Sequence, residues 1–286
     1  SRTISWFPGH MARAMREIAE RLQKIDLIIE TRDARIPLSS INPHLEQLVQ
    51  SKDRLIVYNK VDLAAPQTPA ETLAALRRMP GQNVEFTSLL TNSDPKRILK
   101  HIVEKARQRP AHSPPITAMV IGMPNVGKSY LINALRRVGL RGGRGTKAAS
   151  TGARAGVTRR VSNIITVHRD PVVYLSDTPG VMMPYIADPL HALRVALTGG
   201  INEDVVDPEI MADYLLFILN RTNNTSYKDE YRLDQCTDDI TELLPQVAQT
   251  IGAIGRGGEP RFNEAARNFI KRYQKGKFGR ITLDPL

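Results

Sequence analysis

Apolar residues recur at helical spacing along "HMARAMREIAERLQKID", placing Met11, Met15, Ile18, Leu22 and Ile25 on one face of a predicted amphipathic helix. Short unbroken apolar runs follow. "LIIE" (27–30) and "RLIVY" (54–58) read as buried strands, and "VEFTS" (84–88) as a short third. The charged stretch "DPKRILKHIVEKARQR" predicts a helix with Asp94 as its N-cap and Pro95 in its first turn. "RPAHSPP" (109–115) is a Pro-rich linker. Beyond it come a strand ("ITAMVIG"), a loop ("MPNV") and a helix ("GKSYLINALRRV"), then two more strands, "VSNIITVH" and "VVYLSD". Strands alternating with helices predict an α/β domain with a mostly parallel sheet.

The pattern changes near residue 185. "HALRVALTGG", "DPEIMADYLLFILNR", "DDITELLPQVAQTIGAIG" and "FNEAARNFIKRY" all carry helical periodicity. The expected organisation is an α/β domain over 1–185 and a smaller all-α domain over 186–286. The last stretch, "RNFIKRYQKGKFGR", is strongly basic with Phe269, Tyr273 and Phe278 interleaved. Arg267, Lys271, Arg272, Lys275, Lys277 and Arg280 are therefore candidates for RNA contact; a solvated helix face is the bland alternative.

Composition narrows the picture. With 286 residues and 41% hydrophobic, the chain can bury a sizeable core. No apolar run reaches the roughly 20 residues that span a bilayer, although peripheral membrane association stays open. The net charge of +11 favours a polyanionic partner. Cys236 is the single cysteine, so there is no intrachain disulfide and no cysteine metal cluster. The sequence starts at Ser1, so the lack of a targeting segment carries no information.

Candidate chemistry lies in four short motifs. "GMPNVGKS" (122–129) has the phosphate-loop spacing G-x-x-x-x-G-K-S between a predicted strand and a predicted helix. Its glycines let backbone N–H groups converge on phosphate oxygens. Lys128 would reach the β and γ phosphates, and the Ser129 hydroxyl would ligate Mg²⁺. "DTPG" (177–180) ends a strand; Asp177 would hold the same Mg²⁺, and the Gly180 N–H would meet the γ-phosphate. "NKVD" (59–62) follows a strand. Asp62 can accept both N–H groups of the guanine edge, Asn59 can bond the other side of the base, and the Lys60 stem can pack on the ring. "TSL" (87–89) would offer backbone N–H groups from Ser88 and Leu89 to the guanine oxygen. "GVT" (156–158) supplies Thr158 as the switch threonine closing on Mg²⁺ and γ-phosphate. The expected GTP-binding set is Asn59, Lys60, Val61, Asp62, Ser88, Leu89, Asn125, Val126, Gly127, Lys128, Ser129, Tyr130, Thr158 and Gly180. The base-reading motif precedes the phosphate loop, which predicts a circularly permuted GTPase domain. Close-lying termini make such a permutation tolerable.

The order of motifs, together with "WFPGHM" (6–11), "DARIP" (33–37) and "GMPNVGKS", resembles the RbgA/YlqF-type circularly permuted GTPases of large ribosomal subunit assembly. The resemblance covers nearly the whole chain. The long basic switch region and "MADYLL" look most like the mitochondrial ribosome-associated branch. It implies GTP hydrolysis coupled to maturation of the large subunit, with Mg²⁺ and, through Asn125, K⁺; a loop-shaping role for Asn125 is the alternative. It further implies large-subunit rRNA and assembly factors as partners, a monomer off the ribosome, and a mitochondrial site (the matrix, peripheral to the inner membrane), with a bacterial cytoplasm as the alternative. Ala155 and Leu89 depart from the family pattern, which loosens the expected switch and base-loop geometry.

Val181 follows "DTPG" where many GTPases carry a Gln that orients the attacking water. Intrinsic hydrolysis is therefore expected to be slow. The resemblance points to His10 as the catalytic group; capping of the following helix is its alternative role. Three function classes compete: a ribosome-assembly GTPase, a GTPase of tRNA modification or of a membrane, and a catalytically dead RNA-binding module. Intact Lys128, Ser129 and Asp177 argue against the last. Asp62 argues against an ATP-using enzyme.

Overall fold

A computed structural model describes residues 9–66, 83–90, 93–140, 164–183, 186–202 and 205–285, with side chains from residue 12 onward. Six strands, β1 (Leu27–Asp33), β2 (Arg54–Asn59), β3 (Asn83–Thr87), β4 (Ile116–Ile121), β5 (Ile165–Arg169) and β6 (Val172–Asp177), form one sheet in the order β3-β2-β1-β4-β6-β5. Every neighbouring pair is parallel except the β5–β6 hairpin. The chain lays β1, β2 and β3 toward one edge and then returns to the far side of β1 for β4. Strand order thus reverses between β1 and β4. Such reversals open a ligand crevice beyond the carboxyl ends of the strands. The loops after β1, β2, β4 and β6 all emerge at that end, so "NKVD" stands beside the phosphate loop although it precedes it in the chain.

Strand β1 is buried along its whole length, as expected for a central parallel strand. It extends three residues beyond the apolar run because its charges pair inside the fold. Arg32 bonds Glu30 at 2.7 Å and Glu46 at 2.6 Å, and Arg54 bonds Glu30 at 2.9 Å. Helices α1 (Gly9–Arg21) and α2 (Pro43–Val49) cover one face through Ala14, Ile18, Leu45 and Val49, which pack on Ile28 and Ile121. On the other face α3 (Ser93–Arg107) and α4 (Lys128–Gly139) bring Ile98, Ile102, Leu131 and Leu135 onto Leu27, Ile29 and Val120. The alternation Leu27/Ile28/Ile29 therefore divides between the two layers.

The C-terminal part contains α5 (Pro189–Leu197), α6 (Pro208–Arg221), α7 (Ser226–Tyr231), α8 (Ile240–Ile251) and α9 (Phe262–Gln274). Helix α9 packs against α6 and α8. One continuous apolar cluster joins Met123, Val126 and Met182 of the nucleotide-facing loops to Leu215, Leu219, Val247, Phe269 and Phe278 of the helices. Among the described residues no helix is long and apolar enough to cross a membrane.

Two expectations change. Helices α2 and α7 are too short for a clear periodicity. Asn42 starts α2 by accepting the His44 and Leu45 N–H groups, with Pro43 at its first position. Asp94 does not cap α3. It lies inside the first turn and accepts the Ser88 N–H at 2.8 Å, fastening the loop after β3 instead.

Candidate nucleotide site

The phosphate loop is shaped by two glycines at backbone angles that would strain any other residue. Gly122 has φ +141°, and an added Cβ would lie 2.2 Å from the Thr31 carbonyl oxygen. Gly127 has φ +100°, and its Cβ would fall 2.3 Å from Asn59 Nδ2. Helix α4 starts directly after Gly127 with no side-chain cap. Its first N–H groups and its positive dipole end are thereby available to an anion. Lys128 is buried and donates to the Met123 carbonyl at 2.8 Å. Burial pulls its pKa down to about 8, against the attraction of Asp177. Phosphate oxygens are the groups that would raise it again.

Ser129 Oγ donates to Asp177 Oδ2 at 2.6 Å. Burial pushes the Asp177 pKa up, opposed by the Ser129 bond and the nearby Lys128. A hydroxyl and a carboxylate side by side are hard oxygen donors of the kind Mg²⁺ takes alongside phosphates. A dication there would also offset the burial of the carboxylate, so these residues fit the ion. Thr178 donates to the Val120 carbonyl at 2.8 Å, anchoring "DTPG" to β4. A Cβ on Gly180 would lie 2.6 Å from Pro124 Cα, so the "DTPG" loop and the phosphate loop are in direct contact.

The guanine loop is tied to the phosphate loop. Asn59, the last residue of β2, donates its amide to the Val126 carbonyl at 2.8 Å. This bond bridges the two loops and leaves the Asn59 Oδ1 side of the amide as the group that would meet the base. Lys60 has φ +65°, and its ammonium donates to the Asn125 carbonyl at 2.6 Å and to Asp33 at 2.9 Å. Asp33 also accepts both Arg35 Nε and Nη2, at 2.9 and 2.7 Å. Burial alone would raise its pKa, yet the Arg35 and Lys60 cations hold it well below the usual carboxylate range. Asp33 and Arg35 belong to the "DARIP" motif but not to the expected nucleotide-binding set; the structure joins them to Lys60 through Asp33. Asp62 is half-buried beside this network. The Val61 N–H bonds the Thr87 carbonyl at 3.3 Å.

The loop after β3 differs from expectation. The Ser88 N–H is taken by Asp94, so Ser88 does not offer it to a base. Leu89 is buried, its Cδ1 near Gly127. Val126 is buried and Tyr130 exposed. Asn125 has φ +58° and donates its side-chain amide to the Gly199 carbonyl at 2.8 Å, a loop-shaping contact with the helical part. Val181 is 1% exposed. Its side chain packs with Ala14, Ile18 and Met119 beneath α1, and its carbonyl accepts the Asn42 amide at 3.0 Å. Thr158 lies outside the described residues. His10 stands in the first turn of α1, and its side chain also lies outside what is described.

The basic C-terminal stretch is corrected in one respect. Phe269, Tyr273 and Phe278 are buried in the helical core, so they are packing residues and not a stacking platform for bases. Arg272 is paired with Glu230 at 2.6 Å. Arg280 donates to the Ala64 and Val61 carbonyls at 2.7 and 2.9 Å. Arg267 is half-buried; Lys271, Lys275 and Lys277 are exposed.

Residues 117–249 match the family described as 50S ribosome-binding GTPase. The match begins at β4, so the earlier base-reading motif lies outside it, as a permuted order requires. Mitochondrial ribosome-associated GTPase 1 of Xenopus tropicalis is 39% identical over 98% of this chain and 94% of its own length. The chain belongs to the RbgA/YlqF-type circularly permuted ribosome-assembly GTPases. Ribosome biogenesis GTPase A of Bacillus pumilus is 33% identical, over 99% of this chain and 98% of its own. Among solved structures, GNP-bound YlqF from T. maritima shares the fold of this GTPase, with a TM-score of 0.63 at 21% identity over 95% of this chain and 97% of the other. Membership makes the protein a GTP hydrolase of ribosome assembly.

Proposed function

We propose that this GTPase binds the large subunit of the mitochondrial ribosome and couples GTP hydrolysis to a step of its maturation. The observation that carries the reading is the joined site. Lys128, Ser129 and Asp177 form the phosphate and Mg²⁺ end, and the Asn59–Val126 bond fixes the guanine loop against it. Relatives with mitochondrial ribosome-associated names, aligned along 98% of the chain, support this partner and compartment. Ser129, Asp177 and Thr158 would hold Mg²⁺, which supplies charge neutralisation on the phosphates. K⁺ beside Asn125 belongs to the same reading. Exposed Lys271, Lys275 and Lys277 supply cationic contacts for rRNA phosphates.

Gradient co-sedimentation with separated subunits tests this reading. The protein should travel with the large subunit in the presence of a non-hydrolysable GTP analogue and leave it with GDP. Sedimentation with the small subunit, or with neither in any nucleotide state, would overturn it. Hydrolysis measured in K⁺ and in Na⁺ tests the second cation.

A further inference from the structure

The turn that follows "NKVD" is held from the opposite end of the chain. Between residues 61 and 65 the backbone makes one tight turn, closed by the Leu63 N–H on the Lys60 carbonyl at 3.0 Å. Such a turn presents main-chain carbonyls and N–H groups to the elements packed against it. Segment 280–282 satisfies them one after another. Arg280 Nε donates to the Ala64 carbonyl at 2.7 Å, and its Nη2 to the Val61 carbonyl at 2.9 Å. The Ile281 N–H donates to the Leu63 carbonyl at 2.9 Å. The Ala65 N–H donates to Thr282 Oγ1 at 3.1 Å. Gly276 lies against the Leu63 side chain, where a Cβ would sit 2.7 Å from its Cδ2.

The grip extends to the neighbouring loop after β1. The Leu283 N–H bonds the Arg35 carbonyl at 2.8 Å. Asp284 accepts the Leu38 and Ser39 N–H groups at 2.7 and 2.9 Å. The Arg35 guanidinium lies 5.5 Å from the Tyr273 ring centroid of α9 while it bonds Asp33. Asp33 in turn bonds Lys60. Lys60 itself sits at φ +65°, a conformation that a residue with a side chain holds only when its surroundings impose it. Both neighbours of that residue, the turn after it and the Asp33–Arg35 pair beneath it, are fastened by the C-terminal segment.

We infer that segment 280–284 is a clamp that positions the guanine-reading loop, with Arg280 as its principal positioning residue. The inference rests on the GTPase reading and deepens it. Guanine selectivity is set through the C-terminal part of the chain, and a partner that displaces this segment would loosen the nucleotide from its base end. Arg280 is placed as a positioning residue by its bonds to the Val61 and Ala64 carbonyls. It acts by holding the carbonyls that flank Asp62.

The test measures affinity for GDP and for IDP, which lacks the 2-amino group that Asp62 would read, with the full chain. Arg280→Ala should weaken GDP binding by about tenfold, roughly 1.4 kcal/mol, and should compress the GDP-over-IDP preference by a similar factor. Arg280→Lys, with one ammonium in place of a fork, should fall between. Thr282→Val keeps the shape and removes only the Ala65 bond; it should compress the ratio in the same direction by a smaller factor. It serves if Arg280→Ala does not fold. An unchanged GDP-over-IDP ratio in the folded variants, whatever their melting temperature, would overturn the clamp and leave the segment a structural one. Wild-type protein that fails to prefer GDP over ADP would instead overturn the guanine reading itself.

Discussion

Asn59 and Val126 are 67 residues apart in the chain, yet the amide of one bonds the carbonyl of the other at 2.8 Å. This bond fixes the spacing between base and phosphate sites. Asn59→Ala would leave the buried carbonyl without that donor, at a cost of about 1–3 kcal/mol. GTP and GDP affinity should both fall, by about tenfold or more at that cost, and the melting temperature should drop with them. Equilibrium titration of both nucleotides checks it; unchanged affinity would mean the two loops hold their spacing without the bond.

Guanine choice should follow Asp62. Asp62→Asn exchanges an acceptor for a donor at one base N–H. GTP binding should weaken by about a hundredfold or more, the size of effect a mispaired buried polar group gives, while xanthosine triphosphate gains. Competition between the two nucleotides measures the change.

The Lys128 pKa gives a pH dependence with a defined sign. Burial places it at about 8 in the free protein. Phosphate oxygens raise it, so binding takes up a proton wherever the pH lies between the two values. Affinity for GTP should be level below about pH 8 and fall as the pH rises above it, by up to about tenfold per unit. For the free protein the sign is opposite: a lysine depressed by folding costs stability below pH 8 and less as the pH rises. Lys128→Met should bind nucleotide poorly and without this slope. Titrations between pH 7 and 9.5 decide it.

Val181 cannot be converted into the missing catalytic group. Its side chain is buried under α1. Val181→Gln should destabilise the fold by about 2 kcal/mol through an unpaired buried amide and should not raise the hydrolysis rate. His10→Ala should spare GTP affinity and subunit binding while removing most of the subunit-stimulated rate. Single-turnover hydrolysis on subunits compares the variants side by side; equal stimulated rates for wild type and His10→Ala would assign His10 to capping.

Charge reversal of Lys271, Lys275 and Lys277 should weaken subunit association and lower its salt dependence, by up to about one unit of log–log slope per lost phosphate contact. The same reversal at Arg272 or Arg280 is a poor probe, because each already holds a partner within the fold. Sedimentation across a salt series reads the slope.

The alternating strands and helices, the four motifs and their permuted order were legible because each has a local signature. The phosphate loop needs glycines at two fixed positions, and "NKVD" needs a strand before it. What stayed hidden depends on contacts distant in sequence. "LIIE" marks the apolar part of β1 but not its continuation to Asp33, because nothing local says that Glu30, Arg32 and Arg54 find one another. Phe269, Tyr273 and Phe278 share a stretch with six basic residues, and charge alone suggested a nucleic-acid face. The helical periodicity of α9, with Phe269 and Tyr273 four apart, already placed those two rings on one side, and that side is inward. Asp94 accepts the Ser88 N–H, joining two elements that a linear reading keeps apart.

The apolar cluster shared by the phosphate loop and the helices bears on the order in which the protein is made. Met123 and Val126 emerge from the translating ribosome before the helical members of the same cluster, Leu219, Val247, Phe269 and Phe278, which follow them in the chain. A nascent chain ending near residue 185 would expose that half-built core to solvent, and it would lack the contacts that hold the guanine loop. Nucleotide capture should therefore wait until the segment through Phe278 and Arg280 has been made, and a stalled intermediate would be a client for chaperones before it is a GTPase.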